Sequence, residues 1–380
     1  LISLKEVNHT DKKSPKISKK IKVKFKEEKR MKKVSLIMVV AIVIALIPAT
    51  GLAQFKPGTG EIKGYMAAEY YWNFNHNTGE MDDGGFKGRH GFWFRRIYFT
   101  YNNTLSDTVK MRLRFEMNSP GDFTSSSTLN SFVKDAYLSF KLGGGASLVA
   151  GMQGPPSFGL EEDTWGWRPL EKTPLDLYKW TSSRDFGVAI KGGETLAYHF
   201  MFGQGSSNKA ETNNGKKFFG SLAYKTNGFV VEAVAQYERA KTGDDDVILK
   251  GFGAYTGDWG RVGIMYANRS YKKEGADDSL AYNILSAFAV INAGEKMELI
   301  GRYDMNFGDG YKQSFKGSGI SYVPFANNHE FSFALLALAY QVHKNVWIIP
   351  NMKLSMYRDP DVGEKADNDF YGYLTLYFKF

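Results

Sequence analysis

The fold class this sequence predicts is all-β: a transmembrane antiparallel β-barrel of about sixteen strands with an inward-folded third loop. Three observations predict it. Beyond residue 53 the dominant hydrophobic period is two, with apolar residues on one face of each run and charged residues on the other. The connections between runs alternate long and short. One connection, between Met152 and Asp185, is roughly thirty residues long and carries Pro155, Pro156, Trp165, Trp167, Pro169 and Pro174.

The composition agrees with that class. The 380 residues include 28 Phe, 22 Tyr, 7 Trp and 40 Gly, which suits many short strands and turns. There is no Cys, so neither a disulfide framework nor a thiolate metal site is available. The formal charge of +9 points at first to an anionic partner. Residues 1–53 alone hold 13 Lys or Arg against 4 Asp or Glu, however, and the remainder carries 36 of each sign. A nucleic-acid partner is therefore not expected.

The chain opens with a Lys-rich stretch at 1–30, expected to be a disordered, non-native extension upstream of a start at Met31. Met31-Lys32-Lys33, an apolar run from Val34 to Ile47 and the small residues up to Ala53 follow the grammar of a signal peptide over 31–53. The apolar run falls short of the roughly twenty residues a spanning helix needs. The barrel is then expected over 54–380.

In the strand at 108–117, Val109, Met111, Leu113, Phe115 and Met117 share one face, and Lys110, Arg112, Arg114 and Glu116 the other. Phe229, Val231, Ala233, Ala235 and Tyr237 oppose Glu232, Gln236 and Glu238. In the last strand Phe370, Leu374, Leu376, Phe378 and Phe380 oppose Tyr371, Tyr373, Thr375, Tyr377 and Lys379. Apolar outside and charged inside is what lipid and a wet lumen demand. Sixteen such runs are expected between 62 and 380. Long connections alternate with short ones such as Asn227 and Gly257-Asp258, as expected for external loops and periplasmic turns of a closed sheet without edges. On strict alternation Arg95 faces lipid, and Trp72, Trp93, Trp259 and Trp347 are candidates for interfacial girdles. Trp165 and Trp167 are expected to pack within the third loop.

Arg95-Arg96, then Val149-Ala150-Gly151-Met152-Gln153 with Pro156 and Phe158-Gly159-Leu160-Glu161, then Arg184-Asp185-Phe186-Gly187-Val188 resemble the phosphate-selective porins O and P. The specific motifs lie within 92–190, and Gly154-Pro155-Pro156-Ser157-Phe158 carries one residue more than the family's usual Pro-Phe. The resemblance implies an outer-membrane sixteen-stranded barrel, a homotrimer, whose third loop constricts a channel. The terminal Phe380 is similar to the aromatic that barrel-assembly machinery reads in outer-membrane proteins.

Charge facing the lumen sets selectivity in a pore. By parity Arg96, Lys110, Arg112 and Arg114 form a basic column with Lys141 nearby. The third loop offers Glu161, Glu162 and Asp163 with Arg168 and Lys172, a net acidic loop once Glu171 and Asp176 are included. Opposing charge on two sides of a constriction suits a general pore for small hydrophilic solutes, anions among them, more than a dedicated phosphate filter, which needs unpaired Arg and Lys.

Other chemistries lack their residues. The six His are scattered without metal-ligand spacing, and Gly143-Gly144-Gly145 opens no Gly-Lys-Ser/Thr phosphate loop. No Gly-x-Ser-x-Gly elbow occurs. No cofactor, metal or enzymatic activity is expected; lipid, lipopolysaccharide and permeating solutes are the expected partners. A closed barrel acting as an enzyme or adhesin is the competing reading.

Overall fold

The computed structural model describes residues 60–77, 86–118, 128–212, 215–239, 243–315, 324–358 and 366–380. The expected extension at 1–30, the signal peptide at 31–53 and the acidic pair Asp82-Asp83 lie outside the described residues.

Sixteen strands follow one another around the wall. They are β1 (Gly60–Asn75), β2 (His90–Thr104), β3 (Val109–Asn118), β4 (Asn130–Lys141), β5 (Ser147–Gln153), β6 (Asp185–Gly192), β7 (Leu196–Gly203) and β8 (Lys216–Thr226). The second half is β9 (Phe229–Arg239), β10 (Asp245–Gly257), β11 (Gly260–Lys272), β12 (Leu280–Gly294), β13 (Met297–Phe307), β14 (Phe331–His343), β15 (Val346–Tyr357) and β16 (Asp369–Lys379). Each pairs antiparallel with its sequence neighbours, and β1 pairs with β16 to close the barrel. The seam runs to the last residue: the Phe380 amide donates to Gly64 O at 3.1 Å and the Gly64 amide to Phe380 O at 2.8 Å. Closure leaves no unpaired edge, which hydrocarbon would penalise by several kcal/mol per unsatisfied group.

The short turns are built from residues that accept left-handed backbone. Between β8 and β9, Asn227 and Gly228 have φ of 44° and 81°, and a Cβ on Gly228 would stand 2.2 Å from Thr256 O. Two successive positive φ values match a two-residue turn to the twist of the flanking strands.

The facing is inside-out, as expected. Phe92, Phe186, Phe229, Val231, Leu249, Ile264, Leu336 and Leu374 are exposed on the outer surface, while Glu116, Asp135, Lys250, Arg302, Asp304 and Lys353 are buried inside. β12 departs from the charged-inside pattern: its buried face carries Tyr282, Ile284, Ser286, Phe288 and Val290. Those residues meet protein rather than water. Trp72 and Trp259 are exposed outside. Trp93 and Trp347, expected in the girdles, instead turn inward and pack on the buried core.

Two of the β-bulges, on β2 and β4, each bring an additional charge into the bore. On β2, Arg96 pairs with Ala67 and Phe94 with Ala68, leaving Arg95 as the additional residue. Phe92 and Phe94 before it and Phe99 after it all stay outside, and Arg95 and Arg96 are both buried inside. The expectation that Arg95 faces lipid is corrected by this bulge, which spares the guanidinium a lipid position. On β4, Asp135 pairs with Arg114 and Val133 with Phe115, so Lys134 is the additional residue. Between the bulges, Glu116 on β3 accepts from Arg96 Nε at 2.5 Å and lies 2.8 Å from Lys134 Nζ.

The bulge makes a testable statement about register. Deleting Arg95 restores regular pairing and leaves every other β2 side chain on its present face, so the variant is expected to assemble. Deleting Val234 from the regular β9 inverts the facing of everything on one side of the cut, so that variant is expected to fail. Heat-modifiable electrophoretic mobility of the refolded barrels distinguishes the two.

Candidate functional site

The connection from β5 to β6 folds into the bore. Pro155-Pro156 lead into a turn, and two short helices follow, α1 (Gly159–Trp165) and α2 (Pro174–Leu177), the second with Pro at its first position. Gly166 ends α1 in the left-handed region at φ 72°, its amide donating to Glu162 O at 2.9 Å. A Cβ there would lie 2.8 Å from Arg261 Nη2. The left-handed φ is what favours glycine here, since the Arg261 side chain can shift.

One face of this loop is cemented to the wall from β9 to β16. Trp165 packs edge-on to Phe288 with ring centres 5.2 Å apart, Tyr178 to Phe331 at 5.3 Å, and Trp167 meets Trp347 at 6.4 Å and Tyr377 at 6.3 Å. Leu170, Leu175 and Leu177 are fully buried in the same cluster. The expectation that Trp165 and Trp167 pack within the loop is corrected: both reach across to barrel strands. β12 supplies a dry partner for Trp165, and β15 and β16 supply one for Trp167.

Four wall cations fasten the polar groups of the loop. Lys353 Nζ donates to Leu170 O at 2.8 Å and to Glu171 Oε2 at 3.1 Å. Arg95 Nη2 reaches Glu171 Oε1 at 2.5 Å. Lys250 Nζ holds Ser157 O at 2.8 Å, Glu161 Oε2 at 3.2 Å and Glu232 Oε2 at 3.0 Å. Arg302 donates to Lys172 O, and the Tyr178 hydroxyl donates to Asp304 Oδ2 at 2.7 Å. Burial alone pushes the Glu171 carboxyl up, but Arg95 and Lys353 outweigh it and hold the group well below the usual carboxylate range.

The opposite face of the loop borders open space. A cavity of about 420 Å³ runs between it and the wall of β3 to β9. The wall contributes Arg112, Arg114, Asp135, Lys191, His199, Lys225 and Glu232; the loop contributes Pro155, Pro156, Glu162, Asp163 and Arg184. Asp135 is shared by Arg184 and by Arg114, whose Nη1 lies 3.4 Å away. Burial works against the Arg184 charge, but Asp135 and Glu162 help to hold it on. Asp163 is pushed above the usual range by burial and by Glu162, with Lys225 opposing.

Of the residues expected to shape the constriction, Glu162 and Asp163 from the loop and Arg112 and Arg114 from the wall line this one cavity. Arg168 lies in the loop, donating to Glu162 at 3.1 Å and to Asp176 at 2.9 Å. Glu161 points away from the slot to Lys250. Lys172 is half-buried beside Asp176, burial drawing its ammonium down to about 8 while Asp176 opposes. Arg96 is engaged with Glu116. Lys110 and Lys141 stand exposed at the short-turn ends of β3 and β4. Parity in the sequence puts His199 on the lumen face, where it lines the cavity; Lys191 and Lys225 carry no such signal. The Arg184-Asp185-Phe186-Gly187 motif gains a physical reading: Arg184 lines the slot, Asp185 accepts from the Gly205 amide at 2.9 Å, and a Cβ on Gly187 would strike Phe202 O at 2.1 Å.

The sequence model of the family described as phosphate-selective porin O and P matches residues 66–271. No curated protein matches the sequence. Among solved structures, an anion-selective porin from Comamonas acidovorans is similar at 10% identity, covering 84% of this chain and 99% of that one with a TM-score of 0.63. In-vitro folded OmpT of Vibrio cholerae in its trimer form is 13% identical, covering 85% and 99% with a TM-score of 0.58. The outer-membrane channel DcaP of Acinetobacter baumannii is 13% identical, covering 87% and 100% with a TM-score of 0.58. At these identities the likeness establishes the fold.

Glu171 offers a direct test of the docking. Glu171→Gln removes the anion shared by Arg95 and Lys353, and is expected to lower barrel stability by about 3–5 kcal/mol, the range for breaking a buried pair. Guanidinium unfolding of the barrel in lipid reads the loss, and single-channel recordings should show added current noise as the loop loosens.

Proposed function

The chain belongs to the phosphate-selective porin O and P family, and from that premise we propose that it is an outer-membrane diffusion channel whose slot favours small hydrophilic anions. The observation that carries the sign is the charge lining the cavity. Arg112, Arg114, Arg184, Lys191 and Lys225 face it, and Asp135 is shared between two of them. Glu162 and Asp163 answer from the loop and Glu232 from the wall, but Glu162 is partly neutralised by Arg168 and Glu232 by Lys250. A basic excess remains, and inside a narrow low-dielectric slot such an excess raises the local anion concentration.

The mechanism needs no cofactor. The docked loop narrows the bore and leaves passage along β3 to β9, with a second cavity of about 850 Å³ opening beside Gly166 and Trp167 toward the short-turn ends of β10 to β16, so size is set by the loop and sign by the wall. The Comamonas porin that shares the fold is itself anion-selective, which supports the reading. A homotrimer is supported by the trimer form of the Vibrio protein. Residues 31–53 act as the export signal, residues 1–30 are an upstream extension, and the outward, exposed Phe380 presents the terminal aromatic to assembly machinery.

Planar-bilayer recordings in a potassium chloride gradient test this directly. The expected reversal potential favours chloride at about 0.1 M salt and fades toward neutrality near 1 M, as the Debye length shortens from roughly 10 to 3 Å. Potassium selectivity would overturn the sign, and an absence of conductance steps would overturn the channel in favour of a closed barrel. Acidification supplies a second check. With its pKa raised, Asp163 takes up a proton before ordinary carboxylates do, so chloride preference should rise as pH falls from neutrality. Asp163→Asn should remove that early rise.

A further inference from the structure

The slot is polar in a second sense, across its width. Its wall side is cationic on balance: Arg112 is bonded to a neutral partner, its Nε donating to Asn102 Oδ1 at 2.8 Å, Lys191 and Lys225 line the same side, and the wall carboxylates Asp135 and Glu232 are engaged by Arg114 and Lys250. Its loop side presents the carboxylates of Glu162 and Asp163. The two sides feel each other, since Lys225 on the wall acts on Asp163 in the loop. Neither side can relax toward the other. The loop is pinned from behind by Lys250, Lys353 and Arg95, and the wall is a hydrogen-bonded sheet.

A fixed field of this kind discriminates by the direction of a solute's dipole as well as by its net charge. A monovalent anion gains from the wall and is repelled by the loop. A monovalent cation has the converse experience. A solute carrying a carboxylate and an ammonium a few bonds apart gains at both sides at once, and its net charge of zero meets no penalty from the slot's overall sign. Preorganised charges replace the water it sheds on entry.

Taking the channel reading as given, we propose that this slot selects zwitterionic solutes of the α-amino acid class, the carboxylate turned to Arg112 and its basic neighbours and the ammonium to Glu162 and Asp163. The selection is over neutral solutes of the same size. It therefore adds a substrate class to the anion preference.

The test compares glycine with its uncharged isomer glycolamide in swelling assays on liposomes carrying the full-length processed protein. Glycine is expected to enter faster by about threefold or more, a modest share of what charge focusing delivers. In the Glu162→Gln, Asp163→Asn double variant the ratio should fall to about one, and Arg112→Gln, which alters the other side, should lower it independently. Equal rates for the two isomers in the wild-type protein would overturn the proposal. So would a ratio that survives in both variants, because the preference would then arise elsewhere. Entry of neither isomer above protein-free liposomes would overturn the channel reading together with it.

Discussion

The burial of loop 3 against one half of the bore is the constraint on which the remaining geometry depends. Two kinds of interaction hold it, and they do different work. The apolar seam of Trp165, Leu170, Leu175, Leu177 and Tyr178 supplies the driving force, since each aromatic contributes area burial and about 0.5–1.5 kcal/mol more from ring geometry. The Arg95–Glu171–Lys353 knot is a poor source of net stability, because three desolvated charges cost nearly what their attraction returns. Its use is placement. Only one seating of the loop satisfies all three charges and the Leu170 carbonyl together, whereas aromatic packing alone tolerates sliding.

A barrel of this kind must be wet somewhere and dry somewhere else, and the loop draws the line between them. Behind it, β12 and β14 present Ile284, Phe288, Phe331 and Phe333 to its aromatic side. In front of it, β3 to β8 keep Arg112, Arg114, Lys191 and Lys225 in contact with open space. Passage along this cavity thereby borders the basic residues of β3 to β8, while Glu162 and Asp163 ride on the loop surface that faces them. Selectivity and constriction thus have a common cause.

Much of this was legible from residue order because lipid and water impose opposite demands on alternate positions. The inward charges of β3 and the outward Phe229 and Val231 of β9 announce a transmembrane wall without further information, and the alternation of loop lengths supplies the topology. What stayed hidden were the places where protein, instead of water, fills the lumen. The inner face of β12 reads Tyr282, Ile284, Ser286, Phe288 and Val290, indistinguishable by pattern from a face turned to lipid. Trp93 and Trp347 were misplaced for the same reason: an inward aromatic needs an inward partner, and that partner lies far away in sequence. Long-range pairs such as Lys250 with Glu161 left no local signal at all.

The bulges had a signal that strict alternation passed over. In Phe92-Trp93-Phe94-Arg95-Arg96-Ile97-Tyr98-Phe99 the apolar outer positions fall at 92 and 94, then at 97 and 99, so the period slips by one at the two arginines. Val133-Lys134-Asp135-Ala136 repeats the slip on β4, again at adjacent charges. A pair of adjacent charges in a spanning strand must either place one of them in lipid or break register, and a bulge costs far less than a lipid-facing ion. The break also gives these strands two inward charges where regular pairing allows one. On β2 those charges divide the labour, Arg95 turning to the loop through Glu171 and Arg96 to the wall through Glu116. A single irregularity in the hydrogen-bond ladder thus couples the seating of the loop to the charge network of the wall.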